Sequence, residues 1–309
     1  MKIVYMGTPD FAVPALKKLI EAGHEITAVV TQPDRQRGRG KEVQCSPVKE
    51  CAMEYQIPVF QPLKIKAPEA VAQLKTYEAD IFVVAAFGQI LSGEILEMPQ
   101  YGCVNIHASL LPKYRGAAPI QWAVIDGEEK TGVTIMQMNE GLDTGDIITQ
   151  REVLIGPEET GESLFEKLSL LGAELLVDTL PSIEQGTAVR RPQGDQSGNY
   201  ARMLRKEDGK IDWTQTSKQI EQKVRGMNSW PSAYTMWKGK TLKIWKAGWN
   251  QAVHTNPPGT VVAVDKDSIS VACGEGMIKI TELQLEGKKR MLVKDFLLGY
   301  HMEEGSRLE

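Results

Sequence analysis

The chain has 309 residues, 42% of them hydrophobic and 25% charged, a composition that excludes a disordered or fibrous protein and allows about two domains. The net charge of −4 conceals a mildly basic C-terminal part, where 16 basic residues oppose 13 acidic ones from Lys206 onward. No apolar run reaches the roughly 18 residues of a membrane span and the N-terminus lacks a signal-peptide pattern, so a cytoplasmic protein without membrane contact is expected. The four cysteines and four histidines form no C-x-x-C or H-x-x-x-H, so neither a zinc site nor a disulfide framework is predicted.

The N-terminal part alternates short β-branched runs with helical patterns. Strands are predicted at residues 2–8, 25–31, near 59, 80–86, 102–108 and 132–138, and helices at 10–22, 47–55 and 69–77. This alternation predicts an α/β domain with a mostly parallel, Rossmann-like sheet and helices on both faces. The turn after the first strand has Gly7 as its only glycine, and no P-loop pattern occurs in the chain, so neither nicotinamide nor nucleoside triphosphate chemistry is expected.

The predicted strand 102–108 ends in a concentration of polar side chains. Asn105 and His107 are two residues apart, so both leave the same face of the strand near its C-terminal end, the edge where open α/β sheets build their sites. A single histidine at a strand end also fits an ordinary structural role. The residues that follow, Ser109 to Pro112 and then Tyr114 to Gly116, favour a site.

Two further segments are candidates for the same edge. Residues 87–91, Phe-Gly-Gln-Ile-Leu, follow the strand 80–86, and their backbone groups are suited to reading the edge of a flat heterocycle; a plain turn between strand and helix is the alternative. Asp143 and Asp146 flank a Thr-Gly turn, either as turn formers or as partners for His107.

A long connection at residues 33–46 carries four cations within seven residues, namely Arg35, Arg37, Arg39 and Lys41. Without apolar periodicity, it is predicted to be a mobile, solvated loop. Its interpretation is either a flexible surface loop or an arm that contacts phosphates.

Three parts are predicted along the chain: a first domain at 1–186, closed by a long helical pattern, a linker at 187–207, and a second domain at 208–309. The second domain has a short helix at 217–225 and five short strands, which predict a small, partly open Greek-key β-barrel of the OB-like type. The strands are predicted at 233–237, 241–249, 259–263, 268–272 and 277–283. The tryptophans Trp230, Trp237, Trp245 and Trp249 lie near lysines, as base-stacking residues or as barrel core.

These segments together resemble the folate-dependent formyltransferase family, over the whole chain. The resemblance is carried by MGTPDFAVPAL, PDRQRGRGK, FGQIL, NIHASLLPKYRGAAPIQWAV, GLDTGDI and the second, barrel-like domain. It implies that Asn105, His107 and Asp143 are the catalytic set, with no departure at these positions and no metal. The folate-binding residues that it implies, together with the turn identified above, are Phe87, Gln89, Ile90, Leu91, Ser109, Leu110, Leu111 and Pro112.

The activity that the resemblance implies is one-carbon transfer in translation initiation. The formyl group of 10-formyltetrahydrofolate would pass to the α-amino group of methionine on initiator methionyl-tRNA. The four cations of the 33–46 loop and the second domain would bind the tRNA, and the partners expected are this tRNA and the folate, with the protein a monomer.

The chemistry explains these residue types. A neutral amine attacks the formyl carbon, a tetrahedral oxyanion develops, and the folate nitrogen leaves as a protonated amine. His107 and the Asn105 amide are expected to donate to the oxyanion. Asp143, if hydrogen-bonded to the imidazole, would fix its tautomer and favour its charged form. The group that accepts the proton of the attacking amine is left open.

Three alternatives remain from the sequence. A smaller purine-pathway formyltransferase would share the central motif but needs neither the basic loop nor the second domain. A formyl-folate hydrolase or a sugar-nucleotide formyltransferase would keep the catalytic set, but its second domain would bind something else. A non-catalytic RNA-binding protein would explain the loop and barrel, but not the polar groups at one sheet edge.

Overall fold

The chain divides into two compact units, each formed from separate stretches of sequence. The structure, a computed structural model, describes residues 1–37, 42–194 and 199–309. The first unit comprises Met1–Gly116, Thr131–Val153 and Phe165–Ala201, and the second comprises Ala117–Lys130, Leu154–Leu164 and Arg202–Glu309. The boundary at Ala201 falls inside the predicted linker, and two stretches of the predicted first domain group with the C-terminal unit.

A seven-stranded sheet organises the first unit. Its strands are β1 (Lys2–Gly7), β2 (Glu25–Val30), β5 (Val59–Phe60), β6 (Ile81–Ala85), β7 (Cys103–His107), β8 (Lys130–Gln137) and β9 (Ile147–Leu154), and β3 (Arg35–Arg37) and β4 (Glu42–Gln44) form a separate hairpin. The spatial order is β5-β2-β1-β6-β7-β8-β9. The first five strands in this order pair in parallel, and β8 pairs with β7 in antiparallel orientation, which confirms the predicted mostly parallel sheet.

The strand order produces a topological switch point. The chain moves outward from β1 to β2 and β5 and then returns to the other side of β1 with β6. Ligands of open α/β sheets bind outside the carboxyl ends of the strands at such a point. The central strands β1, β6 and β7 are almost continuously buried, as parallel strands covered on both faces should be.

Helices cover both faces of this sheet. The helices of the chain are α1 (Val13–Glu21), α2 (Pro47–Glu54), α3 (Pro68–Lys75), α4 (Gly93–Leu96), α5 (Pro119–Ile125), α6 (Gly161–Glu184), α7 (Ser217–Gly226) and α8 (Val293–Gly299). On one face, the apolar side chains of α3 and α4 share a core with Cys103 of β7. On the other face, Gly172 of α6 lies against Ile106. Since strand residues alternate, Asn105 and His107 belong to the α3 and α4 side.

The second unit contains an antiparallel sheet, which confirms that the C-terminal part is a small β domain. Its strands are β10 (Ala233–Trp237), β11 (Lys240–Asn250), β12 (Val261–Val264), β13 (Ile269–Ala272), β14 (Met277–Leu285) and β15 (Met291–Leu292). Their order is β10-β11-β14-β13-β12, with β15 paired to β14. The chain's last residues bind both edges of this path, because Met236 N donates to Glu309 O and Val261 N donates to Ser306 O.

The tryptophans of the second unit have different surroundings. Trp237 is buried and packs edge-on against Phe296, so the core interpretation is correct for this residue. Trp230 and Trp249 are exposed, and the Lys218 ammonium lies 5.9 Å from the Trp249 ring centroid. The second unit therefore presents cation-flanked aromatic surface outside its core.

One ion pair of the second unit strongly lowers the pKa of a carboxyl group. Arg202 donates two hydrogen bonds to Asp208, at 2.8 and 2.6 Å. These bonds, together with the backbone N–H of Arg205, lower the pKa of Asp208 to about 2. The charged form of Asp208 is therefore the one that the folded protein stabilises.

No helix among the described residues combines the length and apolar character needed to cross a membrane.

Candidate active site

The predicted site lies at the carboxyl ends of the parallel strands of the first unit. Thr8 follows β1, Phe87 follows β6 and His107 ends β7, and the three strands are neighbours in parallel register. Contacts join these ends, because Thr8 Oγ1 donates to the carbonyl of Phe87 at 3.0 Å. The sequence-predicted segments therefore meet at one edge of the sheet, next to the topological switch point.

His107 is held by the segment that follows it. The side chain is only 6% exposed, and its Nε2 lies 2.9 Å from the carbonyl oxygen of Tyr114. A carbonyl can only accept, so Nε2 must carry a proton. The tautomer of His107 is thus set by Tyr114 and not, as expected from the sequence, by Asp143.

Asp143 faces the other ring nitrogen. Its Oδ2 lies 3.8 Å from His107 Nδ1, which is longer than a hydrogen bond. The same oxygen accepts a hydrogen bond from the backbone N–H of Gly116 at 2.9 Å. The carboxylate therefore has one fixed partner and faces an imidazole nitrogen that can approach it when protonated.

The turn that carries Asp143 has a constrained backbone. Asp143 has a φ of 52°, in the left-handed region where Asp is tolerated better than most residues with a Cβ. Asn139 Oδ1 accepts from Gly141 N and Thr144 Oγ1 within the turn. A Cβ at Gly145 would lie 1.8 Å from the carbonyl oxygen of Gln137, so glycine is required there. The prediction that Asp143 forms a turn and the prediction that it partners His107 are thus compatible.

Asn105 presents a polar group without a fixed partner. It lies in the middle of β7, between Val84 and Met136 in register, and its residue is almost buried. Among the described residues, its side-chain amide has no hydrogen-bond partner. Such an amide retains two N–H donors for a ligand.

The segment 109–112 is anchored by two strands that follow it in sequence. Thr134 Oγ1 of β8 donates to the Ser109 carbonyl at 2.6 Å and accepts from Leu111 N at 3.1 Å. Gln150 Nε2 of β9 donates to the Leu111 carbonyl at 2.9 Å and to Thr134 Oγ1 at 3.0 Å. Leu111 also packs into a small apolar cluster, whereas Leu110 and Pro112 remain half-buried. The conformation of this segment therefore depends on Thr134 and Gln150, which the sequence alone did not indicate.

The turn after β6 is partly exposed. Ala86 and Gly88 have φ values of 47° and 86° on either side of the buried Phe87. Gln89 Oε1 accepts from Ile65 N at 2.7 Å and its Nε2 donates to Pro62 O at 3.1 Å, so this side chain is occupied. Leu91 is buried as well, and Ile90 is 65% exposed. The turn therefore offers a ligand the Ile90 side chain and its backbone rather than the polar group of Gln89.

The basic connection is partly regular. Arg35 and Arg37 lie in β3, which pairs with β4 in antiparallel register, Arg35 opposite Gln44 and Arg37 opposite Glu42. The connection was predicted as a loop, whereas residues 35–37 and 42–44 form paired strands, because the outgoing and returning chain satisfy each other's backbone groups. Arg39 and Lys41 lie outside the described residues.

The root of this hairpin is fixed by charge. Lys49 donates to Asp34 Oδ2 at 2.5 Å, and Gln61 Nε2 donates to Asp34 Oδ1 at 2.7 Å. The Lys49 and Gln61 hydrogen bonds lower the pKa of Asp34, and the bond to Asp34 raises the pKa of Lys49. The hairpin therefore leaves the sheet from an anchored position.

The described residues contain no group of three or more His, Cys, Asp or Glu side chains placed to hold a metal ion. The four cysteines are free, and burial raises the pKa of Cys103 to about 12. This thiol is therefore neutral near pH 7.

Two family patterns match the chain. Residues 1–180 match the family described as Formyl transferase, and residues 203–301 match the family described as Formyl transferase, C-terminal domain. The chain therefore belongs to the formyl transferase family.

Two curated relatives match over their full length. The methionyl-tRNA formyltransferase of Agathobacter rectalis is 53% identical over 306 residues, which cover 99% of each chain. The methionyl-tRNA formyltransferase of Geobacter metallireducens is 54% identical over 308 residues, which cover 100% of this chain and 98% of the relative. Within the family, this chain groups with the methionyl-tRNA formyltransferases.

Solved structures share the fold. The N-formyltransferase from Helicobacter canadensis in complex with folinic acid and dTDP-3-aminofucose is 21% identical, with a TM-score of 0.68 and coverage of 91% of this chain and 99% of that chain. HypX from Aquifex aeolicus in complex with tetrahydrofolic acid is 19% identical, with a TM-score of 0.61. That match covers 97% of this chain and 47% of HypX, so this chain spans about half the length of HypX.

Proposed function

We propose that this protein transfers the formyl group of 10-formyltetrahydrofolate to the α-amino group of methionine on initiator methionyl-tRNA. The full-length similarity to methionyl-tRNA formyltransferases supports the substrate and the reaction. The observation that carries the chemistry is the arrangement of Asn105, His107 and Asp143 at one sheet edge, with the Asn105 amide unpartnered among the described residues and His107 Nδ1 facing the carboxylate.

The folate donor binds at the same edge, against residues 87–91 and 109–112. Two structures that share this fold contain folates, one with folinic acid and one with tetrahydrofolic acid. In this chain, the exposed turn around Ile90 suits the edge of the flat pterin ring. The anchoring of 109–112 by Thr134 and Gln150 presents a preformed wall to the same ligand.

Formyl transfer forms one bond and breaks one. The lone pair of the methionine amine attacks the formyl carbon, the carbonyl oxygen becomes negatively charged, and collapse of this intermediate breaks the bond from carbon to N10 of the folate. The amine loses one proton and N10 gains one. The protein therefore needs an oxyanion donor and a group that accepts and returns a proton.

The geometry supports a division of these tasks between two residues. The Nε2 proton of His107 is already donated to Tyr114, so the oxyanion is assigned to the free amide of Asn105. His107 Nδ1 carries a lone pair in this tautomer, and it takes the proton of the attacking amine, directly or through water, and returns it to N10. Between the two transfers the ring is an imidazolium, which Asp143 stabilises. Its Oδ2 then approaches His107 Nδ1 from the present 3.8 Å to hydrogen-bond distance.

The tRNA is held by phosphate contacts. Arg35, Arg37, Arg39 and Lys41 place four cations within seven residues of sequence. The strand β3, which carries Arg35 and Arg37, follows β2, whose carboxyl end lies at the edge of the sheet that carries His107. The basic C-terminal part of the chain supplies a second tRNA surface.

The proposed function is tested by incubating the protein with 10-formyltetrahydrofolate and charged initiator tRNA. We expect N-formylmethionine on the tRNA in amounts equal to the folate consumed. Consumption of the folate without formylmethionine would contradict the proposal and identify a hydrolase. A preference for uncharged sugar amines over methionyl-tRNA would identify a different acceptor.

A further inference from the structure

The buried side chain of Gln193 joins the turn that carries Asp143 to the segment that holds His107. This residue is only 8% exposed. Its Nε2 donates to the carbonyls of Asp143, at 2.9 Å, and Gly145, at 2.7 Å. Its Oε1 accepts from Nε of Arg115 at 2.9 Å.

The orientation of the Gln193 amide follows from its partners. The two carbonyls only accept hydrogen bonds, so the NH₂ group must face them. The guanidinium only donates, so the carbonyl oxygen of the side chain must face Arg115. The side chain thus donates two hydrogen bonds and accepts one. No other side chain of this length presents two donors and an acceptor in one plane.

Gln193 thus links the turn of Asp143 to the segment that holds His107. On one side, Gln193 donates to the carbonyls of Asp143 and Gly145, in the turn where Asp143 has a left-handed backbone conformation. On the other side, Gln193 accepts from Arg115, which lies between two residues of the site in sequence. The carbonyl of Tyr114 accepts a hydrogen bond from His107 Nε2, and the N–H of Gly116 donates to the Asp143 carboxylate. The separation between His107 Nδ1 and Asp143 therefore depends on two segments that Gln193 ties together.

We propose that Gln193 is a positioning residue for formyl transfer: its amide sets the distance between the Asp143 carboxylate and the His107 ring. This inference rests on the proposed function. It differs from a general stabilising role because Gln193 is expected to act through Asp143 and to affect the chemical step more than the binding of either substrate.

The test uses two substitutions of similar size in the full chain. Gln193→Met removes both donors without adding charge, and Gln193→Glu turns a carboxylate oxygen toward two carbonyls. We expect each variant to lower kcat by roughly 10- to 100-fold, the range for misplacement of a catalytic group by about 1 Å, with KM for folate and methionyl-tRNA within about twofold of the unaltered protein. Gln73→Met, at an exposed position of α3, is the matched control and should leave both constants unchanged.

A double-substitution cycle separates positioning from simple destabilisation. In an Asp143→Asn background, Gln193→Met should lower kcat by less than about threefold, because groups that act as a unit are not additive. Asn is chosen because it tolerates the left-handed backbone at this position. Gln150→Met gives a contrasting result, a raised KM for folate with kcat nearly retained, since Gln150 holds residue 111 instead.

The outcomes are distinct. A normal kcat for Gln193→Met, or a full additional loss in the Asp143→Asn background, would overturn the positioning role while the proposed function stands. Failure of both Gln193 variants to fold would also overturn it, because the role would then be structural. If the unaltered protein and Gln73→Met form no formylmethionine, the proposed function is wrong and this inference falls with it.

Discussion

Removal of one hydroxyl, in Thr134→Val, should disturb the proposed folate wall without disturbing the sheet. Thr134 is completely buried on β8, directly opposite His107 in register. Its Oγ1 donates to the Ser109 carbonyl and accepts from Leu111 N and Gln150 Nε2. Valine has nearly the same shape, so the substitution removes three hydrogen bonds and adds little steric strain.

The expected loss of stability follows from the partners left behind. The N–H of Leu111 becomes a buried donor without an acceptor, and an unsatisfied buried group costs about 1–3 kcal/mol. Gln150 keeps its bond to the Leu111 carbonyl, so its loss is smaller. A total of about 2–4 kcal/mol is expected. For a domain of this size, that corresponds to a fall in Tm of roughly 5–12 °C.

The same change should appear in folate affinity. If about 1.4 kcal/mol of the loss falls on binding, KM for 10-formyltetrahydrofolate rises about tenfold, with kcat nearly retained. Thermal unfolding and steady-state kinetics measure the two effects, and Thr134→Ser is the control, because it keeps the hydroxyl and loses only a methyl group. A Thr134→Val protein with unchanged Tm and KM, or a Thr134→Ser protein equally impaired, would refute the assignment of the segment's conformation to this hydroxyl.

Three further predictions concern other parts of the chain. His107→Ala and Asn105→Ala should each lower kcat about 10²- to 10³-fold with little change in folate affinity measured by titration; near-normal turnover at saturating substrates would exclude either residue from the chemistry. Arg39→Ala combined with Lys41→Ala should weaken use of methionyl-tRNA and flatten its salt dependence, while folate KM stays constant; an unchanged salt slope would leave recognition to the C-terminal part. Asp208→Asn should lower the free energy of unfolding by its full amount above about pH 4, and by less as the pH falls toward 2, because the pKa of Asp208 is about 2 in the folded protein and 3.8 ordinarily. Urea unfolding between pH 3 and 6 measures this difference, and a loss of stability that grew toward pH 3 would contradict the prediction.

The strands of the first unit were predictable because each is an apolar run bounded by turn residues. The strands β1, β2, β6, β7 and β8 agree with the predicted ones to within about two residues. Among the elements that were not predicted, β9 alternates buried and exposed residues only irregularly, and α4 has only four residues. The β3–β4 hairpin was missed because its arms are polar and its pairing depends on chain reversal rather than on apolar periodicity.

The candidate site was predictable only as far as local spacing reaches. Asn105 and His107 share a face because they are two residues apart on a strand, and this holds for any strand in any sheet. The partners of these residues depend on pairing over long distances in sequence. Thr134 faces His107 only because β8 runs antiparallel to β7, and Gln193 reaches Asp143 from 50 residues away. No period or motif in one sequence specifies such contacts.

At His107, a short reversal of the chain decides which ring nitrogen carries the proton, a point that the residue types leave open. An imidazole near a carboxylate suggests a ring held by that carboxylate, and the residues His107 and Asp143 are indeed neighbours. The turn that follows β7, however, brings the carbonyl of Tyr114 back to Nε2 at 2.9 Å. Since that carbonyl requires a proton on Nε2, the neutral ring has its lone pair on Nδ1, on the side of Asp143. In the proposed mechanism the two ring nitrogens therefore have different roles, Nε2 in holding the ring and Nδ1 in proton transfer, and the amide of Asn105 donates to the oxyanion.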